Sequence, residues 1–178
     1  QFIKQTLNDI GMSHLWISQS PVNLKWFSAA IKLRISDQFF QTWNESLEDS
    51  SKSYTYRIIK ENCKFEDYLI TLPRRYREIL TKFRLSNHKL PIEKLRYYGV
   101  ERCKRICKLC NTNEIGDEFH YIFCCPYFSL DRTRYLDKFY CSKQNTLKFN
   151  LLFNVTNKGK LIRLAKFIEI KIGRASCR

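Results

Sequence analysis

Glycine and proline are scarce in this sequence, with five and four residues respectively in a chain of 178. Turn-rich sandwiches and low-complexity chains carry far more of both, so helices are the expected elements. The chain also lacks any uninterrupted apolar run of the ~18 residues that a membrane-spanning helix requires. No membrane partner is expected. No basic start leads into an apolar stretch with a small-residue cleavage site, so no secretory leader is expected and the chain reads as intracellular. In a reducing compartment a disulfide framework is not expected either, and the Asn-x-Ser/Thr strings at Asn44 and Asn154 read as chance matches. There is no internal repeat and no low-complexity tract. Acidic side chains are few, 17 against 32 Lys and Arg, which leaves a net charge of +15. An excess of that size points to a polyanionic partner, most often nucleic acid.

What the chain does have is apolar and aromatic content: 44% and 15% of its residues. That suffices for a buried core and excludes a disordered tail. The length fits one domain, or one domain with a small appendage. The positive charge is concentrated. Residues 1–72 carry eight basic and eight acidic side chains, whereas residues 73–109 carry twelve basic and three acidic. Residues 110–141 are slightly acidic, and residues 142–171 carry seven basic side chains against one acidic. The terminal string Ile172-Gly173-Arg174-Ala175-Ser176-Cys177-Arg178 resembles one reading frame of a sequencing adapter and is set aside, with Cys177. Together with the start at Gln1, it leads us to expect a fragment of a longer reading frame.

The apolar periodicity is helical nearly throughout. Phe2, Ile3, Leu7 and Ile10 fit a short helix that stops near Gly11. Leu24, Phe27, Ile31, Ile35, Phe39, Trp43 and Leu47 recur mostly every four residues, which predicts a long amphipathic helix with that stripe in a core. Two short helical pieces are expected before Pro73. From Pro73 to Leu85, Tyr76, Ile79, Leu80 and Phe83 share one face. Arg74, Arg75, Arg77, Lys82 and Arg84 share the other, so an arginine-rich ridge facing solvent is expected. A short helix is expected from Ile92 to Tyr97, a tight hairpin between Val100 and Asn113, and a helix from Phe119 to Phe139 broken at Pro126. Two closing helices are expected over Leu147–Phe153 and Leu161–Ile170. The fold class is therefore mainly α: an irregular helical domain with a small hairpin-helix motif, which the cysteine spacing given next makes zinc-bound. We divide the chain into a helical region (1–99), a metal-binding motif (100–140), closing helices (141–171) and the excluded string (172–178).

Five of the eight cysteines fall between Cys103 and Cys125, with His120 inside that window. The core spacing is Cys107-x2-Cys110-x9-His120-x4-Cys125. Two thiols three residues apart can point into one turn, and a His with a Cys about one helical turn later can complete a tetrahedral N/S site for zinc. Three thiolates and one imidazole close the coordination sphere, and a closed site is structural rather than catalytic. The fourth ligand is open at this stage. On a regular helix His120 and Cys124 share a face, while Pro126 disfavours helical geometry at Cys125 and lets it turn inward. Cys103 is a more distant alternate. His14 and His88 read as lone surface or core groups. Buried free thiols are the plain alternative to a metal site.

The stretch Leu80-Thr81-Lys82-Phe83-Arg84-Leu85-Ser86-Asn87-His88-Lys89-Leu90-Pro91-Ile92-Glu93 resembles a segment found behind the polymerase domain of LINE-like (non-LTR) retrotransposon proteins. Ile106-Cys107-Lys108-Leu109-Cys110, followed by Ile115-Gly116-Asp117-Glu118-Phe119-His120-Tyr121-Ile122-Phe123 and Cys125, is similar to the zinc motif of the same family. A looser likeness runs from Leu24 to Phe167. In that family a helical region after the reverse transcriptase core leads into a C-terminal Cys-Cys-His-Cys zinc motif. The resemblance implies Cys107, Cys110, His120 and Cys125 as zinc ligands, an upstream reverse transcriptase domain as a partner in the same polypeptide, and a nuclear location. This chain departs from the pattern in having Cys124 beside Cys125.

No polymerase or nuclease chemistry is expected here. The Tyr/Phe-x-Asp-Asp string that carries the metal-binding aspartates of a polymerase is absent, and two-metal nucleotide transfer needs those carboxylates. A zinc deaminase is excluded as well, since it places His-x-Glu ahead of its cysteine pair. Two readings follow. In the first, the chain binds RNA or DNA through Arg74, Arg75, Arg77, Lys82, Arg84, Arg102, Lys104 and Arg105, with Tyr97 stacking on an unpaired base. The resemblance makes that ligand the template RNA or the target DNA. In the second, the zinc motif and helices brace the polymerase domain or another protein, and the basic ridge is only a solvated surface.

Overall fold

The computed structural model describes residues 1–173. Of the string set aside above, Arg174–Arg178, with Cys177, lie outside the described residues, whereas Ile172 is buried in the core. Among the described residues the elements are helical, joined by one isolated antiparallel bridge, so the chain is mainly α. No described helix is long and apolar enough to cross a membrane. The chain parts into two compact units at Asp49/Ser50. That boundary lies inside the first of the segments drawn from sequence, and the metal-binding stretch shares one core with the closing helices.

The first unit contains α1 (Phe2–Asp9), α2 (Ser13–Ser18) and α3 (Leu24–Asp49). Gly11, at φ +68°, turns the chain between α1 and α2. Asn23 caps α3, its side-chain oxygen accepting from the N–H groups of Lys25 and Trp26 at 3.0 and 3.1 Å. Leu7, Ile10 and Met12 form a small core on which Leu15, Phe27, Ala30 and Ile31 pack. The stripe of α3 departs from expectation beyond that point. Among the described residues no side chain of α3 is buried, and Leu24, Leu33, Ile35 and Phe39 are exposed. The reason is length. At ~1.5 Å per residue α3 runs for about 39 Å, whereas α1 is only about 12 Å long.

The second unit contains α4 (Tyr54–Ile59), α5 (Tyr68–Thr71), α6 (Arg74–Arg84), α7 (Pro91–Tyr97), α8 (Ser129–Tyr135), α9 (Lys138–Cys141), α10 (Thr146–Phe153) and α11 (Lys158–Phe167). α11 packs on α6 and α8, and α10 on α4. Asn145 and Asn157 cap α10 and α11 by accepting from the N–H groups of Lys148 and Lys160. The core is rich in aromatics. Phe83 stacks on Phe153 with ring centres 6.0 Å apart, Phe123 meets Phe149 edge-on at 5.7 Å, and Phe128 meets Phe167 edge-on at 6.1 Å. Each such ring contributes roughly 1.5–3 kcal/mol through burial.

α6 keeps the apolar face expected of it, with Leu80 and Phe83 buried. Its end is unusual. Ser86 N–H bonds the Phe83 carbonyl and Asn87 N–H bonds the Lys82 carbonyl, the paired closure that normally has glycine in the left-handed position. Here that position is Ser86, at φ +51°, and the site below explains why. The expected Phe119–Phe139 helix is broken more thoroughly than Pro126 alone requires. A π-helical turn covers His120–Cys124, a 3-10 turn covers Pro126–Phe128, and Leu136 is extended between α8 and α9.

Candidate metal centre

The expected hairpin is present and brings the first two ligands into place. Ile106 and Ile115 form the antiparallel bridge. Cys107 N–H donates to the Glu114 carbonyl at 2.9 Å, and Gly116 N–H to the Arg105 carbonyl at 2.8 Å. Gly116 lets the two arms approach: a Cβ there would lie 3.1 Å from Cys107 Cα and 3.1 Å from Pro91 Cγ. Leu109 N–H then points at Cys107 Sγ, 3.4 Å away, across the turn that carries Cys110.

The second pair of ligands comes from the π-helical turn. Cys125 N–H bonds the His120 carbonyl at 2.7 Å, five residues back rather than four. The widened turn sets Cys125 beside His120, where a regular helix would set Cys124. Arg132 holds this arrangement from beneath. It is buried and donates to the carbonyls of Ile122 and Cys125, both at 2.8 Å. The Asp117 carboxylate caps the start of the turn, accepting from His120 N–H at 2.9 Å and from Arg102 at 2.9 Å.

The four donor atoms of Cys107, Cys110, His120 and Cys125 lie within 4.8 Å of one another. Cys107 Sγ is 4.0 Å from Cys125 Sγ, and Cys110 Sγ is 3.4 Å from His120 Nε2. A tetrahedral ion with metal–sulfur bonds of ~2.3 Å requires sulfur–sulfur edges of about 3.8 Å, so the residues fit a metal ion. The imidazole is correctly oriented. His120 Nδ1 lies 2.7 Å from Glu114 Oε2, which fixes the proton on Nδ1 and aims the lone pair of Nε2 at the sulfurs. Cys107, His120 and Cys125 are buried and Cys110 half-buried. Cys124 is half-buried and not one of the four, as are Cys63 and Cys141, and Cys103 is exposed.

The electrostatics of the sulfurs favour a cation among them. Burial opposes ionisation of Cys110, but the Thr112 hydroxyl and backbone N–H, then Cys107 and His120, outweigh it and bring the thiol down to about 6. Cys125 moves the other way, up to about 12, through burial and then the neighbouring Cys107 and Cys110 sulfurs. Three desolvated sulfurs cannot all carry charge side by side unless a cation neutralises them. Cys125→Ser is therefore expected to release bound metal, and Cys124→Ser to keep it, as read by metal content of the purified protein. Equal retention in both variants would overturn the assignment of the fourth ligand.

A second buried cluster supports the first and was not read from the sequence. Glu118, 1% exposed, accepts from Thr55 Oγ1 at 2.7 Å, Ser86 Oγ at 2.6 Å and His88 Nε2 at 2.8 Å. His88 Nδ1 faces Leu90 N–H at 3.4 Å, which leaves Nε2 to donate. Glu118 thus ties α4, the end of α6 and the approach to α7 onto the metal-binding turn. Ser86 occupies its left-handed position because its hydroxyl serves this carboxylate. His88, a lone histidine in sequence, is a member of the same network. No spacing signal marks Glu114, Glu118 or Arg132 as supports, since their partners are separated in sequence or are backbone groups.

The basic residues divide into two classes. Arg84 and Arg105 are buried, which corrects the placement of Arg84 on a solvent ridge and of Arg105 among the nucleic-acid contacts. Arg84 donates to the Phe153 carbonyl at 3.0 Å and to Glu66 at 2.8 Å. Arg105 donates to the carbonyls of Val100 and Ile92 at 2.8 and 3.1 Å. Their aliphatic stems pack while the guanidinium groups satisfy internal carbonyls. Arg77 is half-buried and donates to the Leu69 carbonyl at 2.7 Å. Arg102 is half-buried, lying over the Tyr54 ring at 3.9 Å. Arg74, Arg75, Lys82 and Lys104 are exposed. Arg74 pairs with Glu78 at 2.7 Å, Arg75 with Glu169 at 2.9 Å and Lys104 with Glu101 at 2.9 Å. Tyr97 is 84% exposed. In comparisons with known proteins the chain matches no family model, no curated protein and no solved structure.

Proposed function

We propose that the chain is a zinc-stabilised nucleic-acid-binding module. The observation that carries the metal half is the cluster of three sulfurs and one imidazole nitrogen within 4.8 Å. Soft thiolates and imidazole in a tetrahedral set suit zinc. When bound, the ion supplies a structural cross-link between the hairpin and the π-helical turn. All four donors come from the protein, so the site leaves no position for a substrate, and we read the chain as non-enzymatic.

The nucleic-acid half rests on the basic block of residues 73–109 and on the part of it that faces solvent. The pairs that Arg74, Arg75 and Lys104 make lie at the surface, where such pairs contribute only ~0–1 kcal/mol. Phosphate groups can displace those carboxylates at little expense. The sequence resemblance to the post-polymerase region of LINE-like retrotransposon proteins supports template RNA or target DNA as the ligand, an upstream reverse transcriptase domain as the neighbour, and the nucleus as the place. With about four to six phosphate contacts, binding should weaken with salt at a log–log slope of about −3 to −5. Arg74→Ala combined with Lys82→Ala should lower that slope by about 1.5 to 2, weaken all sequences alike and leave zinc content unchanged. A slope insensitive to both substitutions would end the nucleic-acid reading.

One observation favours the alternative, a brace for a neighbouring protein. Arg77, Arg84 and Arg105 are all turned to internal carbonyls, so part of the charge excess is structural. Under that reading, retention on RNA or heparin would be weak and indifferent to the exposed cations.

A further inference from the structure

We propose that Tyr97 and Tyr98 form a platform on which an unpaired base stacks, so that the chain holds single-stranded rather than duplex nucleic acid; this rests on the nucleic-acid reading above. Among the described aromatic side chains of the second unit the two rings are the most exposed, at 84% and 69%. Their centroids lie 5.7 Å apart at an interplanar angle of 86°. With one ring edge-on to the other, a ring face is left open to solvent, and any base can stack on it.

The backbone beneath the rings is rigid, which distinguishes them from tyrosines on a loose loop. Gly99, at φ +70°, closes the end of α7: its N–H donates to the Arg96 carbonyl, and Val100 N–H donates to the Leu95 carbonyl, both at 3.0 Å. The buried Arg105 guanidinium then clamps Val100 and Ile92 together through their carbonyls. Arg96 donates to Glu93 Oε2 through Nε at 3.0 Å and Nη2 at 2.9 Å, and its Nε also reaches Oε1 at 3.2 Å. The rings therefore stand on a fixed closure, and stacking a base on them loses little backbone freedom.

Two exposed lysines flank the pair along the chain. Lys94 lies three residues before Tyr97 and four before Tyr98, on the same side of α7. Lys104 is exposed on the short turn that Arg105 fastens to α7. A base on the tyrosines would place its flanking phosphates among these side chains. A duplex offers no free base face except at its ends, so the platform selects strands whose bases are unpaired.

The test uses the full chain with its metal bound. Fluorescence anisotropy at one low salt concentration would compare a labelled single-stranded RNA, the DNA of the same sequence and the corresponding duplex. Replacing both tyrosines with alanine should weaken both single strands about 5- to 100-fold. Duplex affinity should stay the same, as should the salt slope, because no charge is removed. The Tyr97→Phe, Tyr98→Phe variant should bind as tightly as the parent, since the ring faces remain. The proposal is overturned if the alanine variant binds single strands within twofold of the parent. Equal losses on duplex, or a phenylalanine variant as weak as the alanine one, would overturn it too. If the parent protein binds none of the three probes, the nucleic-acid reading itself fails; tight binding indifferent to the tyrosines removes only the platform.

Discussion

Removing the metal with a chelator is expected to unfold the stretch from Ser50 on, seen as loss of far-ultraviolet helical signal and a large fall in thermal midpoint. In zinc-finger peptides the ion supplies ~10–16 kcal/mol of apparent folding free energy. Here the aromatic core carries part of that burden, so a loss of several kcal/mol is expected rather than the whole amount. A domain stable by only ~5–15 kcal/mol does not survive it well. Cys107→Ser or His120→Ala should reproduce the effect without a chelator. The mechanism is specific: with no ion held, the Cys107 and Cys125 sulfurs are left crowded in a buried site, and the cross-link that an ion would make between the hairpin and the π-helical turn is missing. Unchanged stability after complete metal removal would show that the core alone holds the fold.

The second large effect is expected at Glu118. Replacing it with alanine strands the Thr55 and Ser86 hydroxyls and His88 Nε2 in a buried site. Breaking a buried charged network in this way costs about 3–5 kcal/mol, to be read as a shift of the urea midpoint with metal bound. The effect should also show in acid. Burial alone would raise the Glu118 carboxyl, but His88, Ser86 and Thr55 outweigh it and hold the group below its ordinary value. A depressed carboxyl contributes its stability above the unfolded value of ~4.3 and loses it as pH falls through the folded value. Glu118→Ala should therefore flatten the acid limb of the stability curve. A variant as stable as the parent at neutral pH would show that the hydroxyls and imidazole find other partners.

Much of this could be read from residue order, and what could not has a physical reason. The apolar face of α6 and the two closing helices follow from periodicity, because Leu80, Phe83, Phe149 and Phe167 recur at helical spacing and are buried. The ligand set follows from spacing up to its fourth member. Choosing between Cys124 and Cys125 depends on a π turn, which apolar periodicity does not encode. Helical angle points Arg84 outward and the basic block makes Arg105 a surface contact, yet long side chains can turn inward when carbonyls need donors. The stripe of α3 shows the converse. Periodicity marks which face is apolar but says nothing of whether the neighbours are long enough to cover it. Glu118 left no trace in the sequence because its three partners are 63, 32 and 30 residues away.

Those separations have a consequence for the order of assembly. Cys107 and Cys125 are 18 residues apart, whereas Glu118 and Thr55 are 63 apart. Chain-closure entropy grows with the logarithm of length, so the longer loop costs about 1 kcal/mol more to close. The metal loop can therefore form first, from local chain alone, and Glu118 lies two residues before one of its ligands. Once the loop has closed, the carboxylate has a fixed position on which Ser86, His88 and finally Thr55 can condense. In this sequence of events an ion held by the four donors would act as a nucleus for long-range contacts, and refolding without metal is expected to stall with helices formed but not gathered.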